Sequence, residues 1–240
     1  MSHSEDKLLY LLYSKTRVNP IYYFMLLFSL SAQAGPVRGN GATDPSTYEA
    51  ITGESADEEK AAWDSFYRSR ESGFKNQPVG FLRDHLTMIP KGRAFIPAMG
   101  IGQNAIYLAK KGFLVEGVDI SEVAIDTAHE AAKKQGVSIK ASASDLDQFK
   151  YPTDRFDLIV VSQFYRDSLI PKFKAALKKG AYILFYEKRD TGKPQKQVSP
   201  DDFLVKSSDL KAALKDLDIR IFQEYRDHGT EVIGVLARKP

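Results

Sequence analysis

Residues 94–120, AFIPAMGIGQNAIYLAKKGFLVEGVDI, hold the pattern that decides the fold. The apolar run at 94–96 reads as a strand, and it enters a turn that holds Met99, Gly100 and Gly102. Ile106, Leu108 and Ala109 follow at helical spacing, and residues 113–118 make a second strand leading to Asp119 and Ile120. Glycine lets the backbone turn sharply and approach a ligand closely, and the helix start beyond it offers unpaired N–H groups to an anion. An acid at the tip of the second strand is placed to accept hydrogen bonds from ribose hydroxyls. Strand, glycine turn, helix, strand and acid make half of a nucleotide-binding α/β fold. Which adenosine-bearing ligand sits there stays open at this point.

Outward from that stretch, strands and helices alternate from Arg93 onward. Ser121 caps a helix that runs to Gln135 and stops at Gly136. A short strand at 138–141 precedes a polar loop, 142–149, with Asp145, Leu146 and Asp147. FDLIVV at 156–161 reads as a buried central strand, and Gln163, Phe164, Tyr165 and Arg166 lie just beyond it. Pro171 opens a helix over 173–179 that Gly180 ends, and an apolar strand follows at 181–186. After a basic, turn-rich segment at 188–200 that reads as a lid come a helix at 208–217 and strands at 219–225 and 231–237. Asp227-His228-Gly229 joins those strands too closely for anything but an antiparallel pair. The expectation is a Rossmann-like, mostly parallel seven-stranded sheet with helices on both faces and an antiparallel C-terminal strand pair. Ahead of it, a helix at 56–70 gathers Trp63, Phe66, Tyr67 and Arg70 on one face, and Phe81, Leu82 and Leu86 mark a shorter one.

The chain has 240 residues, enough for one full core, and its 43% apolar and 27% charged composition is that of a globular domain. A net charge of +3 with no basic-aromatic stripe argues against nucleic acid. The absence of cysteine excludes disulfides, thiolate metal sites and a cysteine nucleophile, and His3, His85, His129 and His228 lack ligand spacing, so no metal is expected. Lys15 and Arg17, the apolar IYYFMLLFSL at 21–30 and the small-residue SAQA at 31–34 resemble a secretory signal. The alternatives are an N-terminal helix lying on a membrane surface, through residues 21–34, or on the domain itself, and a mis-assigned start. The domain plan is therefore a signal-like or membrane-associating segment (1–34), a flexible linker rich in Gly, Pro, Ser and Thr (35–55) and a folded domain (56–240).

Five motifs in order carry a family resemblance: WDSFY at 63–67, GIGQNAIYLAKKGFLVEGVDIS, SASDLDQF, FDLIVVSQFY and LKKGAYILFYE. Together they resemble the class I S-adenosylmethionine-dependent methyltransferases, nearest the tellurite-resistance-type and thiopurine/halide-type branch. Two positions depart from the commoner pattern: Ile96-Pro97 stands where an acid is usual, and Ala98 replaces the first glycine. The resemblance implies S-adenosylmethionine as cofactor. Its site would comprise Trp63, Met99, Gly100, Gly102, Asp119, Ile120, Asp145, Leu146 and Gln163. Asp119 would take the ribose hydroxyls and Asp145 the adenine amino group, with Leu146 covering the ring. Tyr67, Tyr165 and Arg166 are the candidates for the acceptor side, Arg166 as a steering charge for an anion or as a surface arginine. Asp157, at the opposite edge of its strand, reads as structural.

The implied activity is methyl transfer to a small acceptor of thiol, halide or chalcogen-oxyanion type. Such acceptors are nucleophilic already, which suits a sequence with no evident general base. Two alternatives stay open. Gly100-x-Gly102-x-x-Ala105 followed by Asp119 also fits a nicotinamide-dependent oxidoreductase. A non-catalytic exported protein that keeps the fold is the other, because the cofactor is cytoplasmic while the 31–34 segment points outward.

Overall fold

The computed structural model describes residues 55–69, 77–192 and 203–240. The signal-like segment, most of the linker, Arg70 and residues 193–200 of the basic segment lie outside the described residues.

Helix α1 (Ala56–Ser69) begins with Asp57, Glu58 and Glu59 and ends near Arg68, charges that complement its dipole. Ser55 and Glu58 cap it reciprocally: the Ser55 N–H donates to Glu58 Oε2 at 3.1 Å and the Glu58 N–H to Ser55 Oγ at 3.3 Å. Helix α2 (Gly80–His85) leads through a 3-10 turn (Leu86–Met88) to strand β1 (Arg93–Pro97). Then come α3 (Gln103–Lys110), β2 (Leu114–Asp119), α4 (Glu122–Lys134), β3 (Lys140–Ala143) and β4 (Phe156–Ser162). Helix α5 (Ile170–Ala176), β5 (Leu177–Arg189), β6 (Leu204–Val205), α6 (Ser207–Ala213), β7 (Asp218–Asp227) and β8 (Thr230–Arg238) complete the described chain.

The sheet order is β3-β2-β1-β4-β5-β8-β7, with β6 paired to β5. Strands β1 to β5 run parallel, β8 lies antiparallel to β5, and β7 antiparallel to β8. Chain order reverses between β1 and β4, so the crevice at their carboxyl ends is the topological switch point where open sheets bind ligands. Both faces are covered. Phe81, Leu82, Ile96, Leu108 and Ala128 fill one layer, and Phe95, Phe156, Phe173, Phe185 and Leu210 fill the other.

The expected architecture is present, with local differences. The helix after Pro171 ends at Ala176, and Gly180 does not stop it. Leu177 already pairs with Phe156, and the register then jumps to Leu158 opposite Tyr182. Gly180 sits inside that bulge at φ 79, its N–H donating to the Lys239 carbonyl at 2.9 Å. Glycine there bends a strand. Strand β3 begins two residues later than expected, because its register is set by Glu116 pairing with Lys140. Two-residue β6 had no periodicity to reveal it. His228 (φ 45) and Gly229 (φ 88) form the tight two-residue hairpin turn between β7 and β8. Asp157 is structural as read: its Oδ2 accepts from the Arg93 N–H at 2.7 Å and its Oδ1 meets Lys178 Nζ at 2.8 Å.

Two substitutions test this packing. A Cβ at Gly234 would stand 2.5 Å from the fully buried Phe81 ring. Gly234→Ala should therefore lower unfolding free energy by about 1–3 kcal/mol in chemical denaturation. Ala98, the residue in place of the usual glycine, adopts the left-handed φ of 46. That region costs a non-glycine residue roughly 1–2 kcal/mol, against roughly 0.4–1 kcal/mol of extra chain entropy for glycine. Ala98→Gly should leave stability unchanged or raise it, and a lower denaturation midpoint would contradict the strain.

Candidate active site

The glycine turn and Asp119 form one unit. The Met99 N–H donates to the Val118 carbonyl at 3.0 Å, extending the β1–β2 ladder past Pro97. The chain then reverses through Gly100 (φ 54) and Gly102 (φ 84). Gly100 donates its N–H to Asp119 Oδ2 at 2.7 Å, and Ser121 donates its N–H to Asp119 Oδ1 at 3.0 Å. A carboxylate has about four acceptor sites, so the amides of Gly100 and Ser121 do not exhaust it. Asp119 is 5% exposed, and burial, opposed by those amides, pushes its carboxyl up to about 6. Gly102 is needed for space as well as conformation, since a Cβ there would lie 2.9 Å from that of Ala128 on α4. As a side-chain-free N-cap it leaves the first-turn amides of α3 without a capping side chain. The Met99 side chain is buried under this turn against Gly117 and Gly102, so only its backbone borders the cleft.

Helix α1 closes over that unit. Tyr67 stacks on Trp63 at 5.9 Å between centroids, and its hydroxyl lies 3.0 Å from where a Cβ of Gly100 would be. Burial, then the Asp119 carboxylate, holds the Tyr67 phenol well above its usual range, so its hydroxyl keeps its proton. The helix is fixed by Asp64, a buried acid that sequence reading did not single out. Asp64 Oδ1 accepts from Ser121 Oγ at 2.6 Å and from the Val123 N–H at 3.2 Å, while Oδ2 meets Lys60 Nζ at 3.0 Å. Burial pushes its carboxyl up, but the Ser121 hydroxyl, Lys60 and the Val123 amide outweigh burial and hold it below the usual range. Asp64 thus supplements the cap of α4 from a different helix. Ser121 itself accepts from the Ala124 N–H at 3.1 Å, the capping role expected of it.

The far side of the cleft is built by the loops after β3 and β4. The Ser144 N–H donates to the Asp119 carbonyl at 2.8 Å, which sets Asp145 beside the β2 tip. Asp145 Oδ1 accepts from the Asp147 N–H at 2.8 Å in a local turn, and Leu146 is buried behind it. Gln163 leaves β4 at φ 53, its N–H donating to the Tyr186 carbonyl at 2.9 Å. Tyr165 turns its hydroxyl to Asp167, which together with burial raises the phenol. Arg166 bridges two elements, meeting Asp147 Oδ2 at 2.6 Å and Glu59 Oε1 at 2.7 Å. That pairing ties α1 to the acidic loop across the cleft, so the guanidinium is engaged where a surface arginine would be loose. Asn104, also missed by sequence reading, joins Val79 to Ser162: its Oδ1 accepts from the Val79 N–H at 3.0 Å and its Nδ2 donates to Ser162 Oγ at 2.9 Å.

So the fold brings the sequence-derived residues to one edge, around a cleft lined by glycine amides, two acids and an aromatic helix. No local pattern could reveal Asp64 or Asn104, whose partners lie far along the chain. One further acid, Glu187, did carry a signal: it is charged on the inward phase of the apolar strand AYILFYE, and it is fully buried.

Residues 97–183 match a family model described as a methyltransferase domain. No curated protein sequence matches the chain. The chain is similar to the crystal structure of TehB from Haemophilus influenzae, at 20% identity and a TM-score of 0.61, covering 74% of this chain and 67% of that one. It is similar to magnesium protoporphyrin IX methyltransferase (ChlM) from Synechocystis PCC 6803 with bound SAH, at 15% identity and a TM-score of 0.56, covering 77% and 99%. Geranyl diphosphate C-methyltransferase from Streptomyces coelicolor A3(2), in complex with geranyl diphosphate and S-adenosyl-L-homocysteine, gives 15% identity and a TM-score of 0.56, covering 67% and 76%. At these identities the structures establish likeness of fold, while the family match falls on the segment that holds the glycine turn, Asp119 and Asp145. The two together support an S-adenosylmethionine-dependent methyltransferase, through a sequence match to residues 97–183 and a shared fold.

Proposed function

We propose that the protein transfers the methyl group of S-adenosylmethionine to a small nucleophilic acceptor of thiol, halide or chalcogen-oxyanion type. The observation that carries the cofactor half is the Gly100–Asp119–Ser121 unit at the switch point, with two acceptor sites of Asp119 left for a ribose. When bound, that cofactor supplies an electrophilic methyl on a sulfonium. The residues around it hold two reactants in line, an effect worth roughly 7–11 kcal/mol. Asp119 holds the ribose, Asp145 and Leu146 the adenine, and α1 with Trp63 and Tyr67 excludes water above them. Arg166, held by Glu59 and Asp147, positions the acceptor side and draws in an anion by exchanging one of those partners. The acceptor class rests on the branch resemblance, and a methyltransferase of a small molecule, geranyl diphosphate, is among the structural neighbours.

The nicotinamide alternative depended on the same glycine segment, which the methyltransferase family model now covers. The non-catalytic exported alternative rests on residues outside the described ones, and sequencing the mature N-terminus tests it.

Incubating the protein with S-adenosylmethionine and a panel of thiols, halides and chalcogen oxyanions should give a methylated product and S-adenosylhomocysteine. No turnover anywhere in the panel would sink the acceptor assignment. Asp119→Ala removes two hydrogen bonds to a charged group, each worth about 1.5–3 kcal/mol, and should weaken cofactor binding at least roughly tenfold in calorimetry. Asp145→Ala should cost less, because a backbone amide can still hold adenine; the reverse ranking would exchange their roles. Ribose hydroxyls stabilise ionised Asp119, so affinity for S-adenosylhomocysteine should rise with pH up to about 6 and level off above it. A flat profile from pH 5 to 8 (roughly the interval that brackets such a carboxyl) would remove Asp119 from the ribose.

A further inference from the structure

The bases of this chain gather at the edge of the sheet opposite the cleft. Strands β1 to β5 all start there, and α3 and α4 both return the chain to it. Helix α3 runs out at Lys110 and Lys111, helix α4 at Lys133 and Lys134, and all four are exposed. Lys110 Nζ meets Gln135 Oε1 at 2.6 Å, which sets the two helix ends side by side. Arg93 opens β1 and Lys140 opens β3. Lys91, in the turn before β1, reaches over Gly112, its Nζ 3.6 Å from where a Cβ of that glycine would be. The acid in their midst is Glu116, which Arg93, Arg155 and Lys140 neutralise at 3.5, 2.5 and 3.8 Å.

Apolar side chains stand bare in the same place. Leu114, the first residue of β2, is 62% exposed and pairs in register with Arg93. Met88, just ahead of Lys91, is 43% exposed. Ile219 completes the large apolar side chains exposed among the described residues, and it too lies at this edge, near the start of β7. The cleft edge carries the reverse charge. Asp145, Asp147 and Asp167 stand on its loops, and Asp57, Glu58 and Glu59 head the helix that covers it. A net charge of +3 conceals this separation. Helix dipoles account for the lysines that end α3 and α4. They do not account for Lys91, Arg93 and Lys140 at strand starts, nor for bare Leu114 and Met88.

We propose that this edge is a docking face for an anionic lipid bilayer. Its lysines meet the charged headgroups, and Leu114 and Met88 enter the headgroup layer between them. A nucleic acid would draw on the same charge but gain little from two exposed apolar side chains that cannot stack on a base. The sequence holds a second membrane signal, the apolar stretch at 21–30 behind Lys15 and Arg17. Stable attachment takes two such weak signals acting together. With this edge against the bilayer, the cleft at the far ends of the strands faces water. Such docking needs no particular reaction at the cleft.

Co-sedimentation of the full chain with vesicles tests the assignment. Vesicles of equal parts phosphatidylcholine and phosphatidylserine should bind the chain more tightly than phosphatidylcholine alone. That difference should fade as salt rises from about 0.05 to 0.5 M. Lys91→Gln, Lys111→Gln, Lys133→Gln and Lys134→Gln combined should weaken binding to the anionic vesicles by roughly 10²–10³-fold, about fivefold for each charge. Leu114→Ser should weaken it by roughly threefold to tenfold at low and high salt alike, because the loss is one of apolar burial. These side chains are exposed and far from the cleft, so the unfolding midpoint of both variants should match the wild type. Equal binding of the wild-type chain to the two kinds of vesicle would overturn the proposal. So would an unchanged affinity of the four-lysine variant, which would leave any attachment to the apolar stretch alone. An oligonucleotide bound more tightly than the anionic vesicles, and lost by the same variant, would overturn it in favour of a nucleic-acid face.

Discussion

The Asp119 carboxylate, gripped by the amides of Gly100 and Ser121, is the interaction on which the site depends. One side chain fixes three things at once. It holds the glycine turn after β1 against the tip of β2, it sets the start of α4 through Ser121, and it presents its remaining lone pairs to the cleft. Because Asp119 is buried, each of those amides is worth more to it than in water, and each would be left unsatisfied without it. The same burial raises its proton affinity.

Around this centre the cleft is closed by two polar ties of different kinds. Asp64 reaches from α1 to Ser121 and Val123 and is buried, with its charge balanced by Lys60. Arg166 reaches from the β4 exit to Glu59 on α1 and to Asp147 on the acidic loop, and remains partly open to solvent. A buried, fully bonded acid is costly to disturb, whereas a partly solvated ion pair is screened and worth less. The Asp64 tie is therefore the firmer of the two fastenings of α1.

Ala98 and Glu187 depart from local rules, one by a left-handed backbone, the other by an unpaired buried oxygen. Both sit at carboxyl ends of central strands. Departures of this type concentrate where a fold is being used and not merely assembled. Elsewhere the sheet obeys its periodicities closely, with apolar residues on both faces of β1, β4 and β5.

Sequence alone determined the strand–turn–helix order, the glycine turn, the capping by Ser121 and the terminal hairpin, because each is written in neighbours a few residues apart. Asp119 and Asp145 were legible for the same reason: one ends β2 and the other follows β3 by two residues. The bulge at Gly180, the brief β6 and the start of β3 were set by pairing with other strands, which no local pattern encodes. Tertiary structure alone decided that Asp64 caps a distant helix, that Asn104 links Val79 to Ser162, and that Arg166 spans the cleft. It also decided that Glu187 is sealed beneath Phe164, since an acid at a strand end is exposed or buried according to what packs over it. Spacing along the chain fixes which backbone groups meet; only the folded sheet fixes which side chains lose water together, and from that loss come the raised proton affinity of Asp119 and the enclosed oxygen of Glu187.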